Sequence, residues 1–85
     1  MNRNPLLEQG RKCCDALLAQ HPEVTAPLSI SRQIDYLIGL ESGSISDRSR
    51  LKEITIGVLT AREIEPLDDE AAEIFYKISS EASRM

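Results

Sequence analysis

Apolar residues recur at helical spacing in four stretches, separated by polar or proline-bearing breaks. Leu6, Gly10, Cys13, Cys14, Leu17 and Leu18 share one helix face, their intervals being those of a 3.6-residue period. Asn4 suits an N-cap and Pro5 the first helical position. His21-Pro22 closes this helix, because the residue before proline avoids the α region. The first helix is predicted at 5–20. A second start is marked by Thr25-Ala26-Pro27. Ile30, Ile34, Leu37 and Ile38 form its apolar face, with Glu41 on the same side. Ser42-Gly43-Ser44 ends it, since Gly43 adopts a left-handed conformation at little cost. This helix is predicted at 26–42.

The third stretch carries Leu51, Ile54, Val58 and Leu59, with Ser46 or Asp47 as its cap. Its β-branched run Ile54-Thr55-Ile56 would suit a strand, but the apolar spacing continues to Ala61 and favours a helix at 47–63. Gly57 costs about 1 kcal/mol inside a helix, so a glycine there implies close approach of another element. Pro66 then breaks the chain, and Asp68 or Asp69 caps the last helix, predicted at 68–83. Ala71, Ile74, Phe75, Ile78 and Ala82 give that helix the cleanest amphipathic pattern of the four. Short links between amphipathic helices predict an all-α antiparallel bundle of four helices, a single domain over 1–85. Ile54, Val58, Ile74, Phe75 and Ile78 are expected in its core. Tyr36, beside the second stripe, is expected either as a boundary residue with a bonded hydroxyl or as an interface anchor.

Composition narrows the function more than the fold. Fourteen acids against ten bases leave a net charge of −4, whereas nucleic-acid binding calls for a dense basic surface. Arg48, Arg50 and Lys52 are the nearest approach to one. Aromatics make up only 4% of the chain, so the core must be aliphatic. Adjacent cysteines are poorly placed for a mutual disulfide, and Cys13 and Cys14 are read as small apolar residues. Reduced thiols fit the cytoplasm. The start of the chain, Met1 to Pro5, has no apolar signal region, and no apolar run approaches a membrane span. The protein is therefore expected in the cytoplasm, with no nucleic-acid or membrane partner.

Catalytic chemistry is not legible either. His21 is the single histidine and has no cysteine or second histidine at ligand spacing. Gly39 and Gly43 lack the lysine of a phosphate loop. Asp68-Asp69 and Glu70 with Glu73 read as a solvated acidic face at a helix start. The chain is expected to be no enzyme and to carry no cofactor or metal. What remains is binding. Between Glu63 and Glu73 lie six acids and no base, around the Pro66 turn. Asp68 to Glu70 complement the dipole of the last helix, but Glu63 and Glu65 sit at the end of the third, where negative charge is unfavourable. A basic partner would explain them.

A spaced string in the middle of the chain points the same way: Ser29, Gln33, Tyr36, Asp47-Arg48-Ser49, Leu51, Thr55, Gly57 and Glu63. With the apolar frame of Ile34, Leu37, Ile54, Ile56 and Leu59, the acidic turn around Asp68 and the aromatic Tyr76, residues 17–76 resemble the small helical immunity proteins that protect bacteria from type VI secretion effectors with NAD(P)+ glycohydrolase activity. The resemblance implies a stoichiometric inhibitor that binds the toxin domain of a cognate effector and blocks its active site. It implies no activity and no cofactor of the inhibitor's own. Candidate toxin-binding residues are Glu63, Glu65, Asp68 and Asp69 on the acidic segment, and Asp47, Arg48 and Tyr36 on the other face. Two alternatives stand beside this reading. One is a self-associating helical adaptor or structural protein, a homo-oligomer using Leu28, Leu40, Ile45 and Ile64. The other is an antitoxin that binds nucleic acid through Arg48, Arg50 and Lys52.

Overall fold

Proline and glycine set the ends of the first two helices. In the computed structural model, which describes residues 3–85, α1 spans Asn4–Gln20 and α2 spans Ala26–Ser42, each with proline in its first turn. Met1 and Asn2, read above as part of a start without a signal, lie outside the described residues. Asn4 is the first helical residue rather than the cap. Arg3 occupies the cap position, without a capping side-chain bond. Gly43 ends α2 with φ +85°, as its left-handed freedom allows.

The third helix is shorter than its apolar spacing predicts. Residues Ser49–Glu53 form a 3-10 turn, Ile54 is extended at φ −68° and ψ 123°, and α3 begins only at Ile56. It runs through Ile56–Leu59 and passes into a π turn at Thr60–Ile64, closed by the Glu65 N–H donating to Thr60 O at 2.9 Å. The reason is tertiary. A helix through 51–55 would direct the Thr55 N–H to Leu51 O, but that N–H donates to Gln33 Oε1 of α2 at 2.7 Å. The β-branched run is thus where the segment breaks. Restarting at Ile56 rotates the face. Ile56, Thr60 and Ile64 are buried, whereas Val58, expected in the core, is 57% exposed. Thr60 Oγ1 is buried without a hydrogen-bond partner among the described residues, a local cost of this turn.

Helix α4 spans Asp69–Ala82, and Asp68 caps it by accepting the Ala71 N–H. Phe75 and Ile78 are fully buried, while Ile54 and Ile74 are half-buried against the same core. The pairings Arg11–Asp35 and Arg3–Glu41 run α1 antiparallel to α2. Arg3–Glu81 and the contact of Gly10 with Ile78 run it antiparallel to α4. Gly57 lies under Ser79, where an added Cβ would sit 2.9 Å from its hydroxyl, so the close approach expected there is between α3 and α4. The result is an all-α bundle, with no strand among the described residues and no helix long and apolar enough to cross a membrane.

Of the apolar residues proposed for self-association, Leu40 and Ile64 are buried and Ile45 packs against the core, leaving only Leu28 exposed. The cysteines are packing residues. Burial pushes the Cys14 thiol up to about 12, which makes it a poor nucleophile, and Cys13 is raised for the same reason.

Arg3 clasps the open end of the bundle. Its N–H donates to Glu41 at 3.0 Å, and its guanidinium reaches Glu41 at 3.2 Å and Glu81 at 2.9 Å. The Arg3 backbone N–H, and then its guanidinium, hold the Glu41 carboxyl below its usual range. A carboxylate stabilised in the folded state contributes fully above its unfolded pKa, and the contribution is lost as pH falls through the folded value. The thermal midpoints of the wild type and Glu41→Gln are therefore expected to differ at neutral pH and to converge below pH 4.5. A constant gap across that range would show that Glu41 acts by packing alone.

Candidate functional site

The polar string in the middle of the chain folds into one hydrogen-bonded brace. Ser29, Gln33 and Tyr36 follow one another on a single face of α2 at spacings of four and three. Gln33 accepts the Thr55 N–H at 2.7 Å and donates to Thr55 Oγ1 at 3.0 Å and Ser29 Oγ at 3.3 Å. The Tyr36 hydroxyl donates to Asp47 O at 2.6 Å. Asp47 turns its carboxylate back to accept the Ser49 N–H at 2.9 Å, the local turn that aspartate favours. That bond holds the Asp47 carboxyl below its ordinary range. Arg48 donates to Met85 O at 2.9 Å. Together these bonds fasten the 43–55 connection along α2 and against the end of the chain. Tyr36 itself is 8% exposed, so its ring packs and its hydroxyl is bonded, as the boundary reading requires.

Above this brace lies an open groove of about 220 Å³, lined by Ser29, Arg32, Gln33, Tyr36, Arg50, Glu53 and Ile54. The Arg50 guanidinium lies 5.2 Å from the centre of the Tyr36 ring, a distance at which cation and π face attract. Arg32 and Glu53 escaped the sequence reading, and Arg50 entered it only as part of the nucleic-acid alternative. Arg32 completes the helical spacing Ser29, Arg32, Gln33, Tyr36, which was a usable signal. The 3-10 turn that sets Arg50 over the Tyr36 ring was not legible.

The acidic candidates form a second group at the corner between the π turn and α4. Glu63 is half-buried and Asp69 exposed, and neither makes an ion pair or side-chain hydrogen bond among the described residues. Glu65 and Asp68 are already engaged. Tyr76 donates its hydroxyl to Glu65 at 2.5 Å, and that carboxylate holds the Tyr76 phenol above its usual range. Asp68 accepts the Ala71 N–H at 3.1 Å as the cap of α4. The negative charge of Glu65 at a helix end is therefore answered inside the chain. Hydrogen bonds unite Tyr36 with Asp47, but none joins that group to the acidic corner among the described residues. No group of three potential metal ligands occurs among them.

The decisive comparison covers nearly all of this architecture. The family model Tsi6, for an immunity protein of type VI secretion, matches residues 4–84. The chain belongs to the Tsi6 family. No curated protein and no solved structure matches it. The Tsi6 match takes in α1 and the end of α4 as well as the 17–76 region of the resemblance. As a member of the Tsi6 family, the protein is a type VI immunity protein whose role is to neutralise a toxin. In a Tsi6 protein, the brace on α2 and the acidic corner are two surfaces to be weighed as toxin contacts.

Proposed function

We propose that this protein neutralises an NAD(P)+-degrading type VI effector by binding its toxin domain and covering the active site, and that it has no catalytic activity itself. The observation that carries this reading is the family match over 4–84. The acidic corner supports it. Glu63 and Asp69 have no ion pair or side-chain hydrogen bond among the described residues, and an active site that takes a dinucleotide must accommodate phosphates, for which a basic mouth is common. Charge complementarity of this kind speeds capture. Glu65 and Asp68 add to the same field while serving the fold.

The test is co-expression with the product of the neighbouring open reading frame, scored by survival and cellular NAD+, alongside binding kinetics at two salt concentrations. The wild type is expected to protect, to preserve NAD+, and to leave NAD+ intact when incubated with it alone. Glu63→Lys with Asp69→Lys is expected to slow association and weaken its salt dependence, because steering acts through screened fields. Unchanged association and survival in that double variant would remove the acidic corner from the interface. A toxin that kills without lowering NAD+, yet is still neutralised, would change the target and leave the immunity role.

A further inference from the structure

The groove over the brace has features that structural duty alone does not explain. Arg32 and Arg50 both line it, yet neither makes an ion pair or a side-chain hydrogen bond among the described residues. Arg62 is likewise unpaired among the described residues but lies outside the groove, and the remaining arginines are engaged. Arg3, Arg11 and Arg84 are paired with carboxylates, and Arg48 is bonded to a carbonyl. The floor beneath the two guanidiniums is fixed. Tyr36 is pinned through its hydroxyl, and Gln33 is held by its three bonds to Thr55 and Ser29. Arg50 rests on the Tyr36 face, which limits its rotamers before any partner arrives, and preorganisation of this kind lowers the entropy lost on binding.

We infer that this groove is a docking pocket for an acidic side chain, an aspartate or glutamate presented by the toxin domain, received between Arg32 and Arg50. The inference rests on the proposed immunity function and deepens it by adding a cationic contact distinct from the acidic corner. Size and charge select the occupant. A volume of about 220 Å³ lies below the roughly 300–1,000 Å³ of small-molecule sites, so a side chain fits and a dinucleotide does not. Glu53 on the groove wall and a net charge of −4 oppose a polyphosphate strand, which would bring several negative charges at once. A single carboxylate meets two planar guanidiniums, each able to bind it through paired N–H donors. Ile54 and the Tyr36 ring supply the apolar flank.

The experiment measures association and dissociation of the full chain with the catalytically inactivated domain of the toxin identified by the co-expression test. Arg50→Ala and Arg32→Ala are each expected to weaken binding about tenfold or more, chiefly through faster dissociation, since truncating one member of a buried charge pair acts on the off-rate. Arg50→Lys is expected to recover only part of this, because lysine lacks the planar fork. Glu53→Ala removes a competing charge and is expected to tighten binding. Thermal midpoints of these surface variants should stay near the wild type, which separates lost docking from lost folding. A wild type that binds while both alanine variants bind equally well would overturn the groove and leave the immunity function standing. A wild type that fails to bind the toxin would overturn that function and this inference together. Binding of a short oligonucleotide that is lost in Arg32→Ala and Arg50→Ala would replace the acidic side chain with a phosphate backbone and overturn the inference.

Discussion

Truncating Phe75 to alanine is expected to lower stability by about 3–5 kcal/mol. Phe75 is the only phenylalanine in a chain without tryptophan, and its ring is 0% exposed near the middle of α4. The neighbouring core residues are aliphatic and β-branched in large part: Ile30, Ile34, Ile56, Ile64 and Ile78. Such side chains are stiff at χ1 and collapse poorly into a vacancy. Domains of ordinary stability hold about 5–15 kcal/mol in total, so the loss would remove a large share of it. Chemical denaturation of the two proteins measures this directly, and a loss below about 1 kcal/mol would show that the α4 face is wrongly placed. Protection in cells should fall with stability but recover in part when toxin is abundant, because a partner that binds only the folded form stabilises it by mass action.

Gly39→Ala is the second large effect, and it reaches the site through the loop. Ile45 folds over Gly39, and its N–H donates to Gly39 O at 3.0 Å. A Cβ at residue 39 would lie 2.7 Å from Ile45 Cγ1 and 3.3 Å from Ile45 Cβ. Rotating the far end of the isoleucine does not clear its Cβ, so the loop itself must lift. Helix propensity favours alanine by about 1 kcal/mol, but overpacking of this kind costs about 1–3 kcal/mol. The expected net result is destabilisation, with a shift of the 43–48 connection that loosens the Tyr36–Asp47 bond. Ile45→Ala removes the obstruction. The double variant is therefore expected to be more stable than the sum of the singles predicts, with a coupling of about 0.5–3 kcal/mol. Additive effects would mean that Ile45 does not cover Gly39 in solution. Toxin binding adds a second readout, since both Asp47 and the groove wall follow from the same connection.

Three of the four helices were legible to within a residue or so, because their signals are local. Pro5 and Pro27 in first turns, Gly43 at a left-handed C-terminus and Asp68 as a cap act within one turn of chain. Their apolar stripes also keep one phase from end to end, so periodicity identifies the buried face. Phe75 and Ile78 were legible as core for that reason. The third segment was not, because two elements of different phase share one apolar pattern there. Leu51 and Ile54 belong to the 3-10 turn and its exit, while Ile56, Thr60 and Ile64 belong to α3 and its π turn. A stripe drawn through both put Val58 inside and left Ile56 out of the expected core.

The candidate site divides along the same line. The sequence by itself pointed to binding as the function to seek, and the family match supports an immunity role. The sequence has one histidine, no phosphate loop and an acidic segment free of bases, and these are properties of residue type and order. It also determined that Ser29, Gln33 and Tyr36 belong together, since helical spacing alone aligns them. Tertiary structure decided what they do. The Gln33 bond to the Thr55 N–H across 22 positions takes the donor that would continue the third helix, and the 3-10 turn before it sets Arg50 over the Tyr36 ring. No local preference encodes that geometry, because the donor and acceptor meet only once α2 and α3 have packed. The same holds for Glu65, whose charge looked unanswered in the chain and finds the Tyr76 hydroxyl only across the α3–α4 corner. Capping, breaking and amphipathic phase act over a few residues and are written in the order of the chain. Hydrogen bonds between distant elements depend on packing distances, and these are fixed only by the folded core.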